Sequence, residues 1–211
     1  RNRREHIMQV RTLAVPGAWE ITPRQFGDSR GVFLEWFKAE VFAETVGHRF
    51  TLAQANCSVS AAGVIRGIHF STVPPGQAKY VTCPQGAVLD VAVDIRTDSP
   101  TFGKWDTVLL DDVDRRVIYL AEGVGHAFMS LAVNSTVLYL VSTGYNPSAE
   151  HGVNPLCPEV NIDWPTTDRD GQPITPILSD KDKAAPSLTK ARELGLLPTT
   201  AAVEEYLATL V

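Results

Sequence analysis

Apolar and polar positions of this chain change places in short runs. From Val10 to about Tyr145, stretches rich in Val, Ile, Leu and aromatic residues are punctuated by Gly, Pro, Asp and Asn. That pattern marks many short strands separated by turns. Strands are predicted over 31–37, 52–60, 64–70, 78–83, 87–95, 105–110, 117–120, 127–131 and 136–143, with a short helix over 38–46. Such spacing predicts a mainly β sandwich, jelly roll or barrel. After Pro155 the character changes: Ser179 is placed to cap a helix, and 188–196 and 201–210 have helical spacing. This tail reads as helices packed on a β core.

Within 52–60 the alternation leaves two readings open. Gln54, Asn56, Ser58 and Ser60 share one face, opposite Ala53, Ala55, Cys57 and Val59. The polar face either meets solvent or lines the lumen of a small barrel. Leu89, Val91, Val93 and Ile95 oppose Asp90 and Asp94, whose carboxylates are either solvated or orient partners inside a pocket. Arg66 and His69 are three positions apart, so strict alternation separates them unless Gly67 bulges the strand.

The 211 residues suit one domain. It is expected over 8–197, with a helical tail at 198–211 and a tag or N-terminal extension at 1–7. A net charge of −5 argues against nucleic-acid binding through bulk charge. No apolar run approaches the ~20 residues of a membrane span. Three cysteines without CxxC spacing argue against a disulfide framework or zinc site and favour a reducing cytoplasm. The chain has no Gly-x-Ser-x-Gly elbow, Walker loop or dinucleotide fingerprint. Cys57 reads as a buried small hydrophobe.

Two histidines stand out. His69 ends Arg66-Gly67-Ile68-His69, and His126 ends Gly123-Val124-Gly125-His126. The second resembles the Gly-x-x-His motif of cupin barrels. The first motif of a metal-binding cupin is incomplete: Gly67 occupies the first His position, and Val73 and Pro74 occupy the Glu positions. A three-His, one-carboxylate metal site is therefore not expected.

Further motifs recur in order along nearly the whole chain. They are Asp28-Ser29-Arg30-Gly31-Val32-Phe33 with Glu35, Gln54-Ala55-Asn56 with Ser58, and Gly63-Val64-Ile65-Arg66-Gly67-Ile68-His69. Gln77 and Lys79 follow, then Asp90-Val91-Ala92-Val93-Asp94-Ile95-Arg96 and Ser99-Pro100-Thr101-Phe102-Gly103-Lys104-Trp105. Tyr139, Tyr145, Glu150, Ile162-Asp163-Trp164-Pro165 and Leu178-Ser179-Asp180-Lys181-Asp182 complete the set. Over about 8–197 the chain resembles the dTDP-4-dehydrorhamnose 3,5-epimerase family, a branch of the cupins. Gly125-His126-Ala127-Phe128 departs from the family's usual Ala-His-Gly-Phe, and Cys157 replaces a common Asp.

The resemblance implies a cupin-type jelly-roll β-barrel with short C-terminal helices. It also implies epimerisation of a dTDP-4-keto-6-deoxyhexose at carbon 3, carbon 5 or both, without metal or organic cofactor. His69 would be the base, Asp182 its dyad partner, Tyr139 the proton donor and Lys79 the group beside the oxyanion. Arg30 and Arg66 would meet the diphosphate, and Phe33 and Tyr145 would sandwich thymine. Glu35, Gln54, Asn56, His126 and Glu150 match other substrate-contacting positions. The segment from Arg30 to Glu35 would be donated across a homodimer, so that each site is shared. A single-carbon epimerase, a non-catalytic nucleotide-sugar-binding cupin and a metal-dependent cupin are the alternatives. Taken alone, Asp182, Lys79 and Asp90 read as surface charges, and Tyr139 as a core tyrosine.

Overall fold

The computed structural model describes residues 8–211, mainly as antiparallel strands; the extension expected at 1–7 lies outside them. The strands are β1 (Gln9–Thr12), β2 (Ala18–Thr22), β3 (Gln25–Asp28), β4 (Gly31–Leu34), β5 (Gln54–Ser60), β6 (Ile65–Ser71) and β7 (Lys79–Gln85). They continue as β8 (Ala87–Asp94), β9 (Trp105–Asp111), β10 (Val117–Leu120), β11 (Val124–Ser130), β12 (Ser135–Val141) and β13 (Glu150–Gly152). The helices are α1 (Ala39–Val46), α2 (Asp180–Ala184), α3 (Leu188–Glu193) and α4 (Thr200–Ala208). One sheet runs β1-β2-β10-β7-β12-β5, the other β13-β6-β11-β8-β9, and β3 pairs only with β4.

The inward side chains of the two large sheets meet in one core. Val81, Cys83, Ile118, Leu120 and Val137 come from the first sheet; Val88, Ala92, Val108, Leu110, Val124 and Phe128 come from the second. Each large aliphatic or aromatic side chain buried this way contributes roughly 1.5–3 kcal/mol. The outer face of the second sheet carries Ile68, Val91, Val93 and Ile95 and is covered by the C-terminal segment through Val160, Leu188, Ala191 and Leu197. The outer face of the first sheet is partly covered by α1, with Phe42 against Tyr80 and Tyr119. This is the mainly β jelly-roll barrel with short C-terminal helices that the motifs implied.

Several elements differ from expectation. The strand expected over 31–37 ends at Leu34, and the next residues lead into α1. β1 was not expected because all of its residues are exposed, so it has no apolar alternation. Asp94 is fully buried and structural: it accepts bonds from Arg96 Nε at 2.9 Å and from the Ser99 and Thr101 hydroxyls. Cys57, expected to be buried, is exposed.

That exposure belongs to a whole strand. On β5 Gln54, Asn56 and Ser58 are half-buried, whereas Ala55, Cys57 and Val59 are exposed. Asn56 pairs with Tyr139 and Tyr139 with Val81, a core residue. The polar face therefore looks inward, and the lumen reading is the correct one.

β6 carries the irregularity that Gly67 suggested. His69 pairs with His126 and Arg66 with Phe128, so three steps on β6 match two on β11. Arg66 and His69 consequently share the inner face. Gly67 has φ +119°, and a Cβ there would lie 2.5 Å from His126 O and 2.7 Å from Ala127 Cα. Only glycine allows that approach.

Candidate active site

The local sequence of each sheet directs a different group of side chains into one end of the barrel. From β6, β8 and β11 come His69, Asp90 and His126; from β5, β7 and β12 come Gln54, Asn56, Lys79 and Tyr139. A hollow of about 230 Å³ is lined by Gln54, Asn56, His69, Gln77, Lys79, Tyr139, Tyr145 and Glu150. A neighbouring hollow of about 350 Å³ is lined by Arg66, His69, Glu150, His151, Ser179, Lys181 and Asp182. His69 and Glu150 border both.

Asp182 reaches His69 because Ser179 caps α2. The Asp182 amide donates to Ser179 Oγ at 3.1 Å, which fixes the first turn and turns the carboxylate inward. Asp182 Oδ1 lies 2.8 Å from His69 Nε2, and Oδ2 accepts the Gly67 amide at 3.2 Å. Asp182 is 5% exposed, so its reading as a solvated charge is corrected. Burial pushes this carboxyl up, but the bonds from His69, Gly67 and Ser179 outweigh it and hold the group below the ordinary carboxylate range. An ionised carboxylate can only accept, so His69 Nε2 carries the hydrogen. Nδ1 then keeps the lone pair that a base requires.

Asp90 is also no surface charge. It is fully buried, and His126 Nε2 lies 2.8 Å from both of its oxygens. Burial acts against charge on both partners, pushing the Asp90 carboxyl up and the His126 imidazole down. Lys79, half-buried, is lowered by burial against the pull of Glu150 and Asp90. The departure at Gly125-His126-Ala127 leaves His126 paired in register with His69, buried against Asp90 and outside the lining of both hollows.

Tyr139 is raised by burial, with a hydrogen bond to Asn56 acting the other way. The Asn56 amide oxygen accepts from Gln54 Nε2 at 2.7 Å. Its N–H₂ is thereby left to donate to Tyr139, and the phenol's own hydrogen is free for another acceptor. Gln54 also fixes the loop that carries Tyr145, by accepting its amide at 3.1 Å. Arg66 Nε donates to Ser60 Oγ at 3.0 Å.

Three further expected residues lie elsewhere. Arg30 is paired with Asp28, Glu35 with Lys38 at 3.1 Å, and Phe33 is 65% exposed on the β3–β4 hairpin. None of them lines either hollow of its own chain. Conversely, Gln77 and Lys181, which belong to the motifs but were given no role, line the hollows. Lys181 was legible as the neighbour of Asp182; the place of Gln77 depends on the turn that precedes β7. Among the described residues no three His, Cys, Asp or Glu side chains cluster as a ligand set.

Comparison with known proteins agrees with this geometry. The profile of the dTDP-4-dehydrorhamnose 3,5-epimerase family matches residues 12–190. A dTDP-4-dehydrorhamnose 3,5-epimerase of Mycolicibacterium smegmatis is 55% identical over 203 residues, which cover 96% of this chain and 97% of that protein. A dTDP-4-dehydrorhamnose 3-epimerase of Streptomyces niveus is 55% identical over 194 residues, covering 92% and 90% respectively. A solved epimerase of Mycobacterium tuberculosis superposes with a TM-score of 0.92 at 52% identity, over 97% of this chain and 100% of that one. With its hollow, its His–Asp pair and its opposed tyrosine inside a jelly roll, the chain belongs to the dTDP-4-dehydrorhamnose 3,5-epimerase family.

Proposed function

We propose that this chain performs its family's reaction, epimerisation of a dTDP-4-keto-6-deoxyhexose in deoxysugar biosynthesis, with His69 as the base and Tyr139 as the opposed acid. Carbons 3 and 5 flank the ketone, so a proton can leave either one as its electron pair moves to the carbon-4 oxygen. His69 Nδ1 takes that proton, and Asp182 stabilises the imidazolium. Lys79 stabilises the enolate oxygen, a charge-assisted contact made strongest in the intermediate. Tyr139 then gives its proton to the opposite face of the carbon, and solvent restores both residues. The single observation carrying this reading is that His69 and Tyr139 enter one hollow from facing sheets. No step calls for a metal or organic cofactor.

Binding follows from the same surroundings. Arg66 and Lys181 suit the diphosphate, since cations and guanidinium forks match phosphate oxygens. Tyr145 offers a ring to thymine, and Gln54, Asn56, His126 and Glu150 offer polar contacts to the substrate. A second copy of the chain is part of the proposal. What supports it is the exposed apolar face of β5, with Val59 56% exposed, together with an exposed hairpin bearing Val32 and Phe33. Covering that face would bring Arg30, Phe33 and Glu35 of one copy towards the hollow of the other. Three free thiols suit a reducing cytoplasm.

Proton NMR of dTDP-4-keto-6-deoxyglucose in deuterated water tests the reading. Loss of the carbon-3 and carbon-5 proton signals is expected, and counts the carbons that react. His69→Asn should slow both losses by about 10² to 10⁴ while dTDP still binds. No exchange by the wild type would sink the reading.

A further inference from the structure

A third hollow lies away from the candidate site, about 150 Å³ in volume, beneath α4. Glu122 borders it and is 2% exposed, and its Oε2 is buried without a hydrogen-bond partner. The buried hydroxyl of Tyr119 beside it is also without a partner. Among the described residues no ion pair involves Glu122. A buried carboxyl so placed is costly as an anion and tolerable as a neutral acid. Burial indeed pushes its pKa up; burial also raises Tyr119 and Tyr206, and the charge Glu122 would carry adds to both.

Glu122 meets the site through the turn that precedes Lys79. A Cβ at Gly76 would lie 3.0 Å from Glu122 Cβ, so its stem backs the turn that enters β7. That turn holds Gln77, whose side-chain Nε2 donates to Thr143 O at 2.8 Å, and Ala78, whose backbone amide donates to Ser142 Oγ at 2.8 Å; Lys79 comes next. Ala78 and Ser142 border the same hollow as Glu122. On its C-terminal side Glu122 leads within four residues to His126. Above it, Tyr206 of α4 borders the hollow, and the buried Val203 of the same helix lies against Gly123.

We propose that Glu122 is a positioning residue: as a neutral acid under α4 it backs the turn that delivers Lys79, and its ionisation loosens both the turn and α4. The groups facing it are Tyr119 from β10, Tyr206 from α4, and His48 and Arg49 from the loop after α1; the Gly76–Ala78 turn and Ser142 bring no charge. Its folded-state pKa is raised, so the contribution of docking is complete at acid pH and is lost as pH rises through the folded value. The inference rests on the proposed role of Lys79.

The test compares the pH profile of kcat for wild type and Glu122→Gln, which keeps the shape but cannot ionise. The variant should be near wild type at the acid end of the profile, and the variant-to-wild-type ratio should rise at least about threefold towards its alkaline end. Amide hydrogen exchange of the wild type, corrected for the intrinsic rate, should show protection of 200–208 falling over the same range. A flat ratio overturns the proposal, and so does unchanged protection. The exchange measurement stands even if the variant fails to fold. Lys79→Met separates the two readings: if it leaves kcat intact, the role of Lys79 falls, whereas a flat Glu122→Gln profile beside an inactive Lys79→Met overturns only the positioning.

Discussion

Asp182 holds β6 at two points, with one oxygen on the His69 imidazole at 2.8 Å and the other on the Gly67 amide at 3.2 Å. The same carboxylate therefore sets the tautomer of the proposed base and secures the bulge that turns this base inward.

Asp182→Asn should lose both effects. An amide offers His69 a donor as readily as an acceptor, so the imidazole can flip to the wrong tautomer. kcat should fall by about 10² to 10⁴. Asp182 is depressed in the folded state, so its contribution to stability is present above the unfolded carboxylate pKa and is lost as pH falls through the folded one. Urea midpoints of wild type and variant should differ at neutral pH and converge in acid. Parallel curves at every pH would contradict the ionised carboxylate.

Tyr139→Phe should split exchange from inversion. His69 would still remove the carbon-bound proton and return a deuteron to the same face. Solvent deuterium should enter the sugar while inverted product forms at least about 10²-fold more slowly. Inversion at the wild-type rate would remove Tyr139 from the donor role. Burial raises the Tyr139 phenol and lowers the Lys79 ammonium. The alkaline limb of the rate profile should therefore report Lys79 before Tyr139.

Gly67→Ala should be among the most harmful small substitutions in the chain. Its methyl would meet His126 O at 2.5 Å and Ala127 Cβ at 2.7 Å, at a backbone φ of +119°. A loss on the order of 3 kcal/mol is expected, read as a lowered denaturant midpoint. Loss of the bulge would also move His69 away from Arg66, so residual folded protein should exchange substrate protons poorly.

Mixing Arg30→Ala with His69→Asn tests the shared site. Each variant alone carries one defect per site; a hybrid dimer with crossed donation assembles one intact site. Activity should recover to a fraction of wild type once the subunits exchange. No recovery after demonstrated exchange would count against donation by the β3–β4 hairpin.

Much of this was legible in the sequence, for reasons that particular residues make plain. β10 occupies the predicted 117–120 because four consecutive apolar residues sit between turn signals. The Ser179 cap was visible because Ser before Asp-x-Asp is a local signal. Asp182 and Asp90 looked exposed because their partners His69 and His126 lie 113 and 36 positions away, and no local pattern encodes that. β13, three residues long, exists only because β6 offers it an edge. The place of Arg66 beside His69 needed Gly67 to be read as an inserted residue rather than a gap in the strand.

The inward polar face of β5 has a consequence for the register of its pairing with β12. In most half-buried strands a one-residue slip exposes apolar side chains, and water penalises it. Here the same slip would carry Ala55, Cys57 and Val59 into the barrel and eject Gln54, Asn56 and Ser58. Desolvation alone would reward that error. Correct alignment must then be enforced by directional ties that leave β5, among them the Tyr145 amide to Gln54 and Asn56 to Tyr139, and by whatever surface comes to cover the outer face. Residues proposed to contact the substrate are thus also the ones that keep this strand from sliding, and replacing them with apolar side chains would cost alignment as well as affinity.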